Sequence, residues 1–253
     1  MSAAAAGMPL GQKQSYFTPE STYHGGPGEG HGIRQFNSGQ HFDGHWKDEE
    51  QEGRGSLTTK EGTSYHGDWS KGMMHGQGKY TFLANPKAGG QASGYDGEWS
   101  EGQFHGRGKL VLYSGNSYDG EWRKNKRNGW GIYRVAKPIV GGLAVYEGQW
   151  VDDARTGKGM SKGADGHIEV CTYENGLRVG EGVRILDPSL LHTITGPLLK
   201  GEAKNFYKTM FLRLEDGIEK EEIEQSAAEA IAAKVGFGHL PTLPWPPPAS
   251  AAS

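Results

Sequence analysis

Cysteine and long apolar runs are scarce in this chain of 253 residues. Cys171 is the sole cysteine, so no disulfide can form within the chain, which favours a reducing compartment. No apolar run approaches the roughly 18–20 residues that span a bilayer. The first residues also lack the charged and apolar regions of a signal peptide. We therefore expect a cytoplasmic protein.

An excess of basic charge is missing as well. The net charge is −3, the isoelectric point is near 6.4 and the mean hydropathy is −0.69. A nucleic-acid partner is not expected, because such proteins usually carry a strongly basic face. The one basic run, residues 123–127, sits between two repeat strands. It is either a solvated turn or a contact for an anionic headgroup or an acidic protein tail.

Sequence signatures of catalysis are missing too. The chain has neither the phosphate-cradling G-x-x-x-x-G-K-[ST] nor the nucleophile elbow G-x-S-x-G. The histidines have no metal-ligand spacing, and His75 and His105 fall at equivalent repeat positions that we assign to turns. Asp68, Glu98 and Glu121 recur only because the repeat recurs. We expect no enzyme activity, no cofactor and no metal.

What the chain has is an internal repeat with a period of 23 residues. Copies begin at 42, 65, 95, 118, 146 and 169, and a shorter copy begins at Tyr23. Two copies carry insertions at the same late position, around residues 83–93 and 135–143. The copy at 169 is degenerate, with Glu169, Cys171 and Tyr173 where the others have Tyr, Gly and Trp. Atypical end copies are expected in a repeat array.

Each copy predicts a β-hairpin. Aromatic, glycine and tryptophan residues occupy positions 1, 3 and 5, which share one face of a strand. We expect the glycine to leave a slot for the ring of an adjacent strand, and residues 71–75 to form the turn before a return strand. We interpret this pattern as structural. The repeat residues are Phe42, Trp46, Tyr65, Gly67, Trp69, Tyr95, Gly97, Trp99, Tyr118, Gly120, Trp122, Tyr146, Gly148 and Trp150.

The pattern Y-x-G-x-W-x-x-G-x-x-x-G-x-G resembles the MORN repeat (membrane occupation and recognition nexus), over roughly residues 23–185. Residues 65–82 and 95–113 match it almost position for position. The resemblance implies an extended hairpin array that acts as a scaffold. Members of the family include radial-spoke head proteins of cilia, basal-complex organisers, junctional membrane tethers and arrays fused to enzymes.

The expected fold is mainly β: an elongated single-layer antiparallel sheet of tandem hairpins, then a helical segment and a proline-rich tail. The expected divisions are a flexible segment at 1–21, the array at 22–186, the helical segment at 187–238 and the tail at 239–253. Apolar residues at three- and four-residue steps from Ala203 to Leu214 predict one helix. Helix formers predict another at Glu219–Lys234, with Ile223, Ala227, Ala230 and Ile231 on one face.

Four aromatic residues after the array are candidate partner anchors, because Trp and Tyr are favoured at interfaces. They are Phe206, Tyr207, Phe211 and Trp245. The alternative is that this segment folds back and caps the last hairpin. The expected partners are other protein subunits, and self-association and membrane contact stay open.

The array and the family resemblance favour a non-catalytic scaffold in a large cytoskeletal assembly. The expected location is a ciliary or flagellar axoneme, in a complex such as a radial spoke. The alternative function is a peripheral membrane adaptor that binds anionic phospholipids through the basic turn.

Overall fold

The computed structural model of the chain describes residues 21–25, 29–83, 93–186, 210–215, 218–223 and 225–234. The fold is mainly β with a short helix near the C-terminus, which confirms the predicted fold class. The chain divides into two compact units, Met1–Gly129 and Trp130–Ser253. In both units each strand lies beside the next strand in the sequence.

The strands of the first unit are β1 (Ser21–Gly25), β2 (Gly30–Phe36), β3 (His41–Lys47), β4 (Glu50–Thr58), β5 (Ser64–Ser70), β6 (Met73–Thr81), β7 (Gly94–Ser100), β8 (Gln103–Val111) and β9 (Ser117–Arg123). The boundary between the units falls in β10 (Lys126–Arg134). The second unit continues with β11 (Leu143–Val151), β12 (Ala154–Gly163), β13 (Ile168–Glu174), β14 (Leu177–Leu186), β15 (Met210–Glu215), β16 (Ile218–Ile223) and α1 (Gln225–Lys234).

Two-residue turns close the repeat hairpins. In the second copy Ser70 pairs with Met73, so the turn is Lys71-Gly72 alone, and both residues have positive φ, 51° and 73°. This is the turn geometry whose twist matches that of the flanking strands. The predicted turn at 71–75 is therefore too long, because Met73, Met74 and His75 already belong to β6.

A β-bulge interrupts the return strands β4, β6, β8, β12 and β14 near the first glycine of their Gly-x-Gly pair. Gly67 pairs with Gly78, but the next residue, Asp68, pairs with His75, so Gly76 and Gln77 are left over. Gly76 has a φ of 55°, the left-handed conformation that the first bulge residue needs. The equivalent register shift recurs in the next copy at Gly97. The first glycine of the pair therefore serves the bulge.

The aromatic rings of each copy share one face, as predicted. Tyr65 and Trp69 are buried on that face, and their rings meet edge to face with centroids 5.1 Å apart. Rings also meet between neighbouring hairpins, where Tyr65 lies 5.3 Å from Trp99 and Tyr95 lies 5.6 Å from Trp122. This edge-to-face arrangement is the geometry that aromatic quadrupoles prefer. The rings supply the core that the scarce aliphatic residues could not.

The glycines admit the ring of their own hairpin. A Cβ atom on Gly67 would lie 2.5 Å from the hydroxyl oxygen of Tyr65 and 2.5 Å from the carbonyl oxygen of Gln77. A Cβ atom on the paired Gly78 would meet the Tyr65 ring. The glycine slot is therefore confirmed, but the predicted occupant of the Gly67 slot is wrong: the ring is that of Tyr65, two residues earlier on the same strand, and does not come from an adjacent strand.

The second unit departs from the predicted helical segment. Residues 210–215 and 218–223 form β15 and β16, which pair with each other, and β15 pairs with β14. The helix predicted at Glu219–Lys234 begins only at Gln225. A hairpin forms because the edge of β14 offers backbone partners that an isolated helix would leave unused.

An aliphatic core in the second unit joins the sheet to α1. It consists of Met160, Ile168, Val170, Val183, Ile185, Ala228, Ile231 and Ala232. The buried face of α1 is thus Ala228, Ile231 and Ala232, whereas Ala227 and Ala230, predicted for that face, are exposed. The ammonium group of Lys234 also lies 3.0 Å from a carboxylate oxygen of Glu181 on β14. The described helix therefore covers its own sheet.

Candidate functional site

The repeat tryptophans join successive hairpins. The indole N–H of Trp99 donates to the carbonyl oxygen of Gly78 in the preceding hairpin at 2.9 Å. The same bond recurs in every described copy with a tryptophan: Trp46 to Gly32, Trp69 to Gly55, Trp122 to Gly108 and Trp150 to Gly131. A buried indole N–H needs such an acceptor. Each tryptophan therefore holds two hairpins together.

The repeat tyrosines close their own hairpin. The hydroxyl of Tyr95 donates to the carbonyl oxygen of Glu98 at 2.9 Å. It also lies 3.2 Å from the carbonyl oxygen of His105. His105 and its counterpart His75 lie in β8 and β6, so their predicted placement in turns is wrong. Burial raises the pKa of Tyr95 far above its ordinary value, so the hydroxyl remains a donor.

The recurring carboxylates support the bulges. An oxygen of Asp68 accepts the backbone N–H of Gln77 at 2.9 Å, and one of Glu98 accepts that of Arg107 at 2.8 Å. In the fifth copy the amide oxygen of Gln149 does the same for Lys158 at 3.3 Å. Each acceptor satisfies a donor that the bulge removes from the strand ladder. Sequence reasoning identified the recurrence of these residues but missed this role.

We expect Glu98→Ala to destabilise the protein by about 1 kcal/mol, because the N–H of Arg107 loses its acceptor. Glu98→Gln should retain most of the stability, because an amide oxygen fills this role at Gln149. Urea unfolding of the three proteins measures the difference. Equal losses in both variants would show that charge, and not the hydrogen bond, matters at this position.

The face opposite the rings carries exposed rows of alternating charge. Along one row, Lys79 pairs across the strands with Asp96, Asp96 with Lys109, and Lys109 with Asp119. All four side chains are exposed. In a neighbouring row the guanidinium of Arg54 lies 2.8 Å from a carboxylate oxygen of Asp68. This face therefore offers cations and anions in a regular pattern.

The basic run lies at a hairpin turn, as predicted. Asn125 is buried, and its side-chain oxygen accepts the N–H of Phe104 from the preceding hairpin at 2.8 Å. Arg127 is half-buried, with its guanidinium carbon 5.8 Å from the centroid of the Tyr118 ring. Lys124 and Lys126 are exposed. Asn125 and Arg127 therefore make contacts within the fold, and the two exposed lysines form a small positively charged patch at the turn.

The degenerate sixth copy buries a carboxylate in place of a ring. Glu169 occupies the tyrosine position and is only 3% exposed, so an acidic side chain is buried where the earlier copies bury a ring. Arg178 and Arg184, both on β14, donate to its two carboxylate oxygens. The earlier copies place Phe104, Arg127 and Arg155 over the ring of their own tyrosine. Arg178 is the equivalent of these residues, facing a glutamate.

These partners keep Glu169 ionised. Burial by itself would raise the pKa of the carboxyl, but the hydrogen bonds from Arg184 and the charges of Arg178 and Arg184 outweigh it and lower the pKa below the ordinary value. The neighbouring thiol of Cys171 is also buried, and burial raises its pKa to about 12. The cysteine is therefore neutral at physiological pH.

The lowered pKa of Glu169 predicts a loss of stability in acid. A carboxyl with a folded-state pKa below its unfolded value stabilises the fold fully above the unfolded value, and this contribution disappears as the pH falls through the folded one. The free energy of unfolding should therefore fall below about pH 4.5. Glu169→Gln should be less stable at neutral pH and show a weaker decline in acid. If the free energy of unfolding of this variant falls as steeply in acid as that of the wild type, the argument is contradicted.

Only one of the four predicted partner anchors lies within the described residues. Phe206, Tyr207 and Trp245 lie outside the described residues. Phe211 lies in β15, opposite Ile185 of β14, and not on a helix as predicted. A role for these four residues in partner binding stays a prediction.

Each hairpin is closed by a tyrosine hydrogen bond and joined to the preceding hairpin by a tryptophan hydrogen bond. Such tandem hairpins define a hairpin-repeat protein. The family model of the MORN repeat matches residues 42–64, 65–82, 95–117, 118–134, 146–168 and 172–187. The chain therefore belongs to the MORN repeat family. Five of the starts coincide with the copies found by spacing, and the match to the degenerate sixth copy begins three residues later, at residue 172 instead of 169. A search of curated proteins found no significant match.

MORN arrays are generally modules that bind proteins or membranes, and their hairpin sheets are typically non-catalytic. Within the described residues, helix α1 is too short to cross a bilayer. The same part of the chain holds no group of three or more side chains suited to a metal ion.

Proposed function

We propose that this protein is a non-catalytic scaffold subunit that binds other proteins in a cytoskeletal assembly, namely a ciliary or flagellar axonemal complex such as a radial spoke. The observation that carries the scaffold role is the outward face of the repeat sheet. The rings on the other face are buried by contacts within and between hairpins. The exposed charged rows are therefore the surface that is available to a partner.

The alternating signs on this face favour a protein partner over an anionic bilayer. A bilayer attracts a face of uniform positive charge, at about 1 kcal/mol for each basic residue. Along the outward row Lys79 and Lys109 alternate with Asp96 and Asp119, so their attraction to a negative surface largely cancels. A protein surface with complementary rows would gain specificity from the same pattern. The axonemal location rests on the family resemblance alone.

The alternative function, a peripheral membrane adaptor, rests on the exposed Lys124 and Lys126 of the basic turn. Two charge-reversal variants of equal charge separate the two functions. Lys79→Glu with Lys109→Glu changes the outward face, and Lys124→Glu with Lys126→Glu changes the turn. Both pairs are exposed, so we expect neither variant to change the melting temperature substantially.

Proximity labelling in ciliated cells should show that the outward-face variant loses protein neighbours that the wild type and the turn variant retain. Retention of all neighbours by the outward-face variant would reject this face as the binding surface. Co-sedimentation with phosphatidylserine vesicles that is abolished only by the turn variant would favour the membrane function instead. Neighbours that are protein subunits of a non-axonemal complex would overturn the location and leave the scaffold role standing.

A further inference from the structure

The second unit contains a polar cavity of about 220 Å³ beside Glu169. Its lining includes Arg155, Ser161, His167, Glu169, Tyr173 and Arg178. The cavity occurs at the copy in which glutamate replaces the repeat tyrosine. In the preceding copy Tyr146 is fully buried at the equivalent position, whereas the shorter Glu169 is turned toward the arginines of β14. The missing ring leaves room that a ligand can occupy.

The lining of this cavity includes an arginine that no carboxylate balances within the described residues. Arg178 and Arg184 share the single carboxylate of Glu169, and His167 is paired with Asp165. Arg155 donates to the carbonyl oxygen of Gly176 at 2.9 Å and has no carboxylate partner among the described residues. Arg155 is half-buried, so an anion in the cavity would supply the counter-ion that the described residues do not provide.

The donors are arranged for an anion with several acceptor oxygens. Arg155 comes from β12, His167 lies just before β13, and Arg178 comes from β14, so the donors approach from separate strands. The hydroxyl of Ser161, also in the lining, donates to Glu169 at 3.4 Å. Arg155 is held between rings, with its guanidinium carbon 5.4 Å from the centroid of Tyr146 and 5.0 Å from that of Tyr173. Arginine recognises phosphate through paired N–H donors, and a fixed guanidinium loses little freedom on binding.

We propose that this cavity binds a phosphate group, held by Arg155 and Arg178 with His167 as a further donor. A carboxylate has two oxygens and could not meet donors on this many sides at once. The source of the group is either free inorganic phosphate or a small phosphomonoester. Such a site is separate from the outward charged face, so it goes beyond the proposed scaffold function and can fail independently of it.

Isothermal titration calorimetry of the full chain with inorganic phosphate and with phenyl phosphate tests the site, at constant ionic strength. We expect saturable binding of at least one of them, and Arg155→Met should weaken it roughly tenfold or more, because a charge-assisted contact is lost. Lys158→Met is the matched control. It removes a cation of the same strand whose side chain does not line the cavity, and it should bind as the wild type does.

Arg178→Met should weaken binding as well, but it also removes a partner of Glu169, so circular dichroism must first show that it is folded. Arg155→Met decides the question if it is not. Tighter binding of phenyl phosphate than of phosphate would assign the site to a phosphomonoester, and the reverse to the free ion. Absence of saturable binding, equal affinity of Arg155→Met and wild type, or preference for acetate over both phosphates would overturn the proposal.

Discussion

Gly97→Val should unfold or severely destabilise the hairpin array, whereas Asp96→Val, one residue earlier, should be tolerated. A Cβ atom on Gly97 would collide with the Cα atom of Gly108, lie 2.5 Å from the carbonyl oxygen of Arg107 and lie 2.9 Å from the hydroxyl of Tyr95. Two of these neighbours are backbone atoms of the paired strand, so they cannot move without breaking the ladder. We expect a loss of about 3 kcal/mol or more.

Asp96 is the matched control because it points to the outward face, where it is exposed between Lys79 and Lys109. Replacing it by valine removes a surface charge that lies opposite two lysines in the strand register, which is worth less than about 1 kcal/mol, and valine suits a strand. Thermal and urea unfolding of both variants give the comparison. Gly120→Val and Asp119→Val repeat it in the next copy. Equal melting temperatures within each pair would contradict the packing argument.

The repeat hairpins could be predicted because the same spacing of aromatic residues and glycine recurs in several copies along the sequence. Tyr95, Gly97 and Trp99 share strand parity, and that parity alone places them on one face. The bulge could not be predicted from strand parity, because the two glycines of each Gly-x-Gly pair, such as Gly76 and Gly78, are two residues apart, as in one regular strand. The positive φ of the first glycine, 51° at Gly106, is a backbone requirement that the sequence signals only through the invariance of glycine along the copies.

The buried charge cluster could not be predicted, because its partners come from a different strand. Glu169 is recognisable as a departure from the repeat, but nothing near it in the sequence names Arg178 and Arg184 as its partners. They meet it only once β13 and β14 pair, with Glu169 opposite Arg184. The cavity follows from this pairing and from the missing ring, so it too required the structure.

The predicted helix at Glu219–Lys234 shows propensity overridden by pairing. Residues 219–222 are strong helix formers, yet Glu219, Glu221 and Glu222 pair with β15 in the sheet. Asp216-Gly217 lies between two six-residue strands, which is the spacing of a hairpin. Local propensity is a weak signal where a sheet edge can supply backbone hydrogen bonds.

The buried side of α1 leads to the second large expected effect. Ala232 is fully buried in the aliphatic core with Ile168 and Val170, whereas the adjacent Ala233 is exposed. Ala232→Glu would place a charge in an apolar core without a partner. We expect it to destabilise the second unit by about 3–5 kcal/mol or to detach the helix. Ala233→Glu introduces the same residue into the same helix and should change the stability by less than about 0.5 kcal/mol.

This pair of variants decides between the two roles that the sequence left open for the segment after the array. If the helix caps its own sheet, Ala232→Glu should lower the melting temperature and increase the binding of a hydrophobic dye, because Val183 and Ile185 lose their cover. If the helix instead serves mainly as a partner anchor, both variants should melt like the wild type, and only the capture of partners should change. The contacts of Ala228 and Ile231 with the sheet favour the cap. Equal melting of the two variants would therefore reject it.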